Sequence, residues 1–303
     1  MRNPLRLVFA LAIAASALLA NGAAIQMEHR RSPYVGAIAV DASNGRVLFS
    51  DSADRECYPA SCTKLMTARL LLKAIADGRV GADERIVQSK RSAREEPSRI
   101  GLLPGESMSI DEALKSLMLK SANDIAVAVA ERVGGSVEVF VGMMNEEARN
   151  LGMTGTTFAS PNGLPPPRGS TRGFDKSNAS DLAKLGVAIV RDQPQLLEYT
   201  ALPSATVTGS KGVAVYISNH NNLVNKDYRG WRRDVKVAEA DGLKTGYIDA
   251  GGSSVVVTGQ RSGKRAVVVV VGSASAQERD QNASRMILDA LGAIAWWLAV
   301  GSW

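Results

Sequence analysis

Apolar and polar positions along this chain change period several times, and each change marks an element. Tyr34 to Val40 alternates apolar and small residues, and Asp41-Ala42-Ser43-Asn44-Gly45 then leads into Arg46-Val47-Leu48-Phe49. Asn-Gly between two such runs is the strongest short-range hairpin signal, because both residues tolerate the left-handed backbone of a tight turn. A β-hairpin is therefore expected at the start of the folded region. Pro59-Ala60-Ser61 then runs into Cys62 to Ala76, where Leu65, Met66, Leu70, Leu71 and Leu72 mark a helix buried over much of its surface. Pro59 stands just ahead of it, where a missing N–H costs little.

Further on, Ser109 followed by Glu112 reads as a capping box for a helix carrying Ala113, Leu114, Leu117 and Met118. A second helix is expected from Asp124 through Ala130. Val137, Phe140, Val141, Met144 and Ala148 then repeat at helical spacing as far as Gly152, and Asn178 to Val190 reads as another helix. Between them, Pro161 to Thr171 is rich in proline and glycine and reads as a loop. Ser253 to Val257 and Ala266 to Val271 are β-branched runs joined by Gln260-Arg261-Ser262-Gly263-Lys264, a second hairpin, and Ala283 to Ala299 closes the chain as an apolar helix. Strands toward both ends with helices between them predict an α+β fold in which one sheet is built from the two termini and a helical block packs against it. No linker divides the chain, so a single domain is expected over 25–303.

Residues 1–24 are set apart from that domain. Arg2 and Arg6 flank an apolar stretch from Leu7 to Ala20, followed by Asn21, Gly22, Ala23 and Ala24. A basic start, a short apolar run and a small-residue exit read as an export signal cleaved somewhere near Gly22 to Ala24. The alternative is an uncleaved anchor, but the run is short for a membrane span.

The composition of the 303 residues, 45% hydrophobic and 22% charged, is that of an ordinary globular protein. The formal net charge of +6 includes the two leader arginines, and the remaining basic residues are scattered, with Arg30-Arg31, Arg229 and Arg232-Arg233 as the only small clusters. No stripe of the kind that binds nucleic acid stands out. Only two histidines occur, His29 and His220, so neither a Ser-His-Asp triad nor a zinc site of several histidines is supported. Cys57 and Cys62 fit neither a metal site nor a disulfide framework and read as two unpaired thiols. Nothing in the sequence calls for a metal or an organic cofactor.

Three short motifs follow in order: Ser61-Cys62-Thr63-Lys64, Ser121-Ala122-Asn123 and Lys244-Thr245-Gly246. Ser61 opens a helix, where free N–H groups favour developing negative charge. Lys64 lies one turn further on the same face, so its amine can reach the hydroxyl. In a buried site the amine loses its proton more easily and can act as base; the plain alternative is a solvated surface lysine. Ser121 either relays a proton to the leaving amine or caps the following helix, and Asn123 could bind a substrate amide. Lys244-Thr245-Gly246 is expected just before a strand. A strand edge there would offer backbone groups to an extended peptide, with Gly246 permitting close approach and Lys244 and Thr245 meeting a carboxylate.

The three motifs together, in the longer stretches Pro59 to Thr67, Leu119 to Asp124, Asn150 to Met153, Asn162-Gly163-Leu164 and Asp241 to Tyr247, resemble the low-molecular-mass penicillin-binding proteins, the D-alanyl-D-alanine carboxypeptidases. The resemblance runs from about Tyr34 to Leu291. It implies a β-lactamase-like fold, an antiparallel sheet flanked by helices with the site where sheet meets helical block. It further implies Ser61 as nucleophile, Lys64 as its activator, Ser121 and Asn123 as relay and substrate binder, and Lys244 and Thr245 as carboxylate-binding groups. Backbone N–H groups of Ser61 and Tyr247 would form the oxyanion hole. The activity implied is removal of the terminal D-alanine from peptidoglycan stem peptides, on the periplasmic or extracellular side of a bacterial envelope, with β-lactams as further ligands.

Four departures matter. Cys62 stands where relatives carry a bulky apolar residue, and Ala122 stands in the middle motif. His220 occupies the place of an arginine near the carboxylate; it either touches substrate or makes a structural hydrogen bond. Many relatives also continue into a β-rich domain and a membrane anchor, which are not expected here. The terminal tryptophans Trp296, Trp297 and Trp303 are read as packing on the domain, with membrane-surface contact as the alternative. Rival activities are D,D-endopeptidase cleavage of cross-links, a β-lactamase needing an extra carboxylate that Glu95, Glu96 or Glu106 would have to supply, and a non-catalytic muropeptide-binding module. The oligomeric state is left open.

Overall fold

The computed structural model describes residues 34–224 and 235–300, the last six by backbone only. The leader, His29, the clusters Arg30-Arg31, Arg229 and Arg232-Arg233, and the tryptophan side chains near the C-terminus lie outside the described residues. The N-terminal hairpin forms as expected, from strands β1 (Gly36–Asp41) and β2 (Val47–Asp51). Asn44-Gly45 turns between them, with Gly45 at φ 74. The C-terminal hairpin is longer than its β-branched runs: β8 (Gly252–Arg261) and β9 (Lys264–Ser273) follow β7 (Ala240–Ile248). All pair antiparallel in the order β2-β1-β9-β8-β7, so β1 from the start of the chain docks on β9 near its end. The expected sheet built from both termini is present.

The valine run of β9 explains why this sheet forms a centre rather than a surface. Val267, Val269 and Val271 belong to a core shared with the helical block, while Ala266, Val268 and Val270 pack with Ala283, Met286, Ile287 and Ala290 of the last helix, α7 (Ala276–Val300). Successive side chains of a strand point to opposite faces, and a strand covered on both reads as an unbroken apolar run. Helix α7 begins seven residues before its expected start. Among the described residues no helix is long and apolar enough to cross a membrane.

A short 3₁₀ turn, Ala60–Thr63, leads into α1 (Lys64–Ala76), so the expected helix begins as a tighter coil around Ser61. Two short strands absent from the sequence reading, β3 (Arg85–Val87) and β4 (Ser107–Ser109), pair beside the helical block. Helix α2 (Ile110–Lys115) carries the expected capping box, Ser109 and Glu112 bonding reciprocally. It continues into a single π turn, Ser116–Lys120, before α3 (Asn123–Gly134), α4 (Val137–Asn150), α5 (Ala179–Asp192) and α6 (Leu196–Thr200). A second small hairpin, β5 (Ser204–Thr208) and β6 (Ala214–Ser218), precedes β7. Residues 161–171 form no regular element, as expected.

Helix α1 is tied to the block by a buried ion pair. Arg69 Nε donates to Glu147 Oε1 of α4 at 2.8 Å, Lys73 reaches the other Glu147 oxygen at 2.6 Å, and Arg69 also meets Asp192 at the end of α5 at 3.2 Å.

Candidate active site

Three segments distant in the chain converge where β7, the edge strand of the large sheet, meets the turn that opens α1. Ala60, immediately before Ser61, holds φ 49, a left-handed conformation that costs a residue with a Cβ on the order of 1 kcal/mol or more. Two glycines make this tight turn fit. A Cβ at Gly246 would meet the Pro59 carbonyl oxygen at 2.6 Å and the Ser61 nitrogen at 3.1 Å. A Cβ at Gly163, which has φ 82, would collide with the Ala60 carbonyl from the other side. The turn is gripped between β7 and the 161–164 loop.

Lys64 is fully buried, and its Nζ sits 3.0 Å from Ser61 Oγ, 2.7 Å from Asn123 Oδ1 and 2.6 Å from the Asn162 carbonyl. The solvated-surface alternative for this lysine is thereby removed. The two amide oxygens can only accept, so the amine must donate to both. The Ser61 hydroxyl can donate as well as accept, so a neutral amine keeps its lone pair for the serine proton. Burial, assisted by the Lys244 charge, pushes the amine well below the ordinary lysine range, against the opposing pull of Asp175, Cys62 and Glu95.

Ser121 follows the π turn with φ 61, again left-handed, and its Oγ is buried without a hydrogen-bond partner among the described residues. It does not cap α3: the residue at that cap is Ala122, and no side chain closes it. The Asn123 amide also donates to the Glu96 carbonyl at 2.9 Å. Asn123 thus links Lys64 to the segment before α2.

Lys244-Thr245-Gly246 lies inside β7 rather than before a strand, a correction to the sequence reading. Gly246 does not end the run because the strand continues to Ile248, paired through Tyr247 with Ser253. The Lys244 side chain is 1% exposed, and among the described residues its ammonium donates one hydrogen bond, to the Thr245 carbonyl at 3.0 Å. Burial pushes its pKa down to about 8. A buried ammonium with donors to spare is stabilised by an arriving anion. Tyr247 points outward, 60% exposed, its hydroxyl donating to Asp249 at 2.7 Å.

His220 stands near these groups. Its backbone N–H donates to the Leu119 carbonyl at 3.3 Å, and its side chain makes no hydrogen bond among the described residues. The residue keeps surface in solvent, yet packing around the ring, with the Lys244 charge next in weight, pushes the imidazole down to about 4, so it is neutral. Cys62 is buried, its Sγ 3.5 Å from the Lys244 carbonyl, and burial raises its pKa to about 11 and that of Cys57 to about 12. Both are free thiols, as expected.

Other residues of this centre were not assigned from the sequence. Asn162 was noticed only as part of Asn162-Gly163-Leu164, yet its carbonyl is a partner of Lys64, and its side chain donates to Glu95 at 2.9 Å. Asp175, 3% exposed, accepts from the Ser160 N–H at 2.9 Å and the Ser160 hydroxyl at 2.6 Å, and Ser160 Oγ in turn accepts from the Gly163 N–H at 2.9 Å. That chain of bonds holds the loop against Ala60. Arg279 is buried against Asp280 at 2.6 Å and adds positive potential at Lys244 and His220. An acid or arginine in a polar stretch carries no periodic signal, so none of these stood out.

Residues 28–275 match the family described as D-alanyl-D-alanine carboxypeptidase. The chain is 30% identical over 251 residues to the D-alanyl-D-alanine carboxypeptidase DacF of Bacillus subtilis, covering 83% of this chain and 60% of that protein. It is 30% identical over 256 residues to DacC of Escherichia coli, covering 82% and 59%. The chain thus spans about three fifths of the length of these curated relatives. Among solved structures it superposes with a TM-score of 0.73 and 27% identity on a penicillin-binding protein of Listeria monocytogenes in its cefotaxime-bound form, over 87% of this chain and 99% of that one. A TM-score of 0.76 relates it to the D-alanyl-D-alanine carboxypeptidase DacD of Francisella tularensis, at 23% identity over 90% of this chain and 74% of that one. The α+β transpeptidase-like fold expected from the sequence is the fold of these structures, and the chain belongs to the D-alanyl-D-alanine carboxypeptidase family of penicillin-binding serine peptidases.

Proposed function

We propose that this protein is a serine D,D-carboxypeptidase that removes the terminal D-alanine of peptidoglycan stem peptides, exported by residues 1–24 and catalysing through one domain formed by 25–303. One observation carries the reading: the fully buried Lys64 amine lies 3.0 Å from Ser61 Oγ with its other contacts taken by Asn123 and Asn162. Neutral Lys64 takes the serine proton as Oγ adds to the penultimate D-alanyl carbonyl. N–H groups of Ser61 and Tyr247 receive the oxyanion. The terminal carboxylate pairs with Lys244 and Thr245, using the ammonium's spare donors, and the extended peptide lies along the β7 edge at Gly246. The unpartnered Ser121 hydroxyl passes the proton from Lys64 to the leaving amine, while Asn123 bonds the substrate amide. D-alanine departs, and water hydrolyses the Ser61 ester. A β-lactam would acylate Ser61 by the same first step.

The test has two parts. Purified protein mixed with a labelled penicillin should carry one covalent adduct, located on Ser61 by peptide mass spectrometry. Incubation with an uncross-linked pentapeptide stem should release D-alanine. An adduct on another residue overturns the site, and cleavage of cross-linked muropeptide without release from the pentapeptide makes the enzyme an endopeptidase.

A further inference from the structure

The basic residues are scattered along the sequence, yet folding gathers several of them around two adjoining clefts next to Asn123. We infer that this cationic rim binds carboxylates carried on the substrate upstream of the scissile bond, so that an acidic stem peptide is preferred; the inference rests on the carboxypeptidase reading.

The rim is built on a strap, residues 95–101, that is bonded to the opening of α3. The Asn123 N–H donates to the Ser98 carbonyl at 2.7 Å, and Asn123 Nδ2 donates to the Glu96 carbonyl at 2.9 Å. Ser98 Oγ donates to the Lys120 carbonyl at 2.8 Å, and the Asp124 carboxylate accepts from the Ile100 and Gly101 N–H groups. Asn123 is itself a partner of the Lys64 amine at 2.7 Å, so the strap rests directly on a residue of the site. Arg99 follows Ser98 immediately, and Arg94 precedes Glu96 by two residues, at most about 7 Å of chain. With the terminal carboxylate at Lys244 and the upstream amide at Asn123, the rest of the peptide leaves the site past this strap. A carboxylate two or three residues upstream lies about 7–11 Å along an extended chain, a comparable span.

Arg94 borders both clefts. One, of about 350 Å³, is walled by Lys90, Arg94 and Arg99 beside Leu103, and no acid lines it. The other, of about 660 Å³, sets Arg91, Arg94, Arg168 and Arg172 against Glu95 and Glu96. Several of these charges are already engaged. Arg91 pairs with Glu138 at 2.9 Å, Arg172 donates to the Leu164 and Pro165 carbonyls at 3.1 and 2.7 Å, and Glu95 accepts from Asn162 at 2.9 Å. Lys90, Arg94 and Arg168 are exposed, and their side chains make no hydrogen bond or ion pair among the described residues. Free guanidinium forks match a carboxylate in shape as well as charge. Clustered cations also raise the local concentration of an anionic substrate.

The experiment compares D-alanine release from an uncross-linked pentapeptide stem and from the same stem with its upstream carboxylates amidated; both keep the terminal carboxylate. For the full-length protein at low ionic strength, kcat/KM should favour the acidic stem by about 5- to 10-fold, through KM. That preference should fade between about 0.01 and 1 M salt, as the screening length falls from about 30 to about 3 Å. In the double variant Arg94→Gln, Arg168→Gln the ratio should fall to within about twofold of one. A parent ratio near one, or one indifferent to salt, overturns the inference, and both readouts stand even if the variant fails to fold. So does a variant that keeps the parent ratio, or one that loses activity equally on both stems, which would give these arginines a structural role alone. Release from neither stem by the parent protein removes the carboxypeptidase reading, and this inference with it.

Discussion

At Lys64 three oxygens surround one nitrogen that no solvent reaches. The reactive amine is the unprotonated one, so acylation should be present above the folded pKa and lost as pH falls through it. Because burial sets that pKa well below the usual lysine value, the acid limb of acylation should lie far below about 10.4. A limb at the ordinary lysine value, measured as penicillin acylation rate against pH, would show the amine to be solvated. Lys64→Met should lower acylation by about 1,000-fold or more. Lys244 makes the opposite trade. Its folded pKa of about 8 lies below the reference 10.5, so between these values the unfolded chain holds the extra proton and stability rises with pH. Below that window the cost of burying the ammonium is fully present. Lys244→Met should therefore raise the unfolding free energy at neutral pH by on the order of 2 kcal/mol, while weakening any substrate that carries a carboxylate. Equilibrium unfolding in denaturant and acylation kinetics on one preparation check both. Ser61 and Lys64 were legible because spacing along a helix places them on one face. Asn162 and Asp175 were not, because each reaches the site from a loop distant in sequence.

Elements with a local signal were read well, and those whose shape depends on neighbours were not. The capping box at α2 is a local arrangement, and Ser109→Ala should cost about 1 kcal/mol in denaturant unfolding with little effect on acylation. By contrast, the 3₁₀ turn at Ser61 holds Ala60 left-handed only because β7 and the 161–164 loop close on it. Gly163→Ala would add both a collision with Ala60 and a strained φ, so acylation should fall at least about 10-fold and stability by about 1–3 kcal/mol. Near-parent acylation by that variant would mean the loop does not shape the turn. The misplacement of Lys244-Thr245-Gly246 has the same origin. Lysine and glycine lower strand propensity, so the run reads as lying just before a strand, whereas its ladder with β8 places it inside the edge strand.

Across the whole molecule, α1 is tied to the helical block by Glu147 of α4, which holds Arg69 and Lys73 from a nearly dry position. Removing the Glu147 charge leaves buried Arg69 with Asp192 as its remaining carboxylate, so Glu147→Gln should cost about 1–3 kcal/mol. Its folded pKa is lowered by hydrogen bonds and charge from Lys73 and Arg69, which overcome burial. This stabilisation is therefore present above the ordinary glutamate value and lost as pH falls through the folded one. Thermal unfolding of parent and variant along an acid series should converge; parallel curves would refute the pair's role. The order of the three motifs, the hairpins and the amphipathic helices were written in the sequence, since hydrophobic period and turn chemistry act over a few residues. Folding alone decided that Asn123 and Asn162 gather about Lys64, and that β7 becomes an open edge beside Ser61. An amine's proton affinity depends on which distant groups exclude water from it, and no stretch of neighbouring residues encodes that.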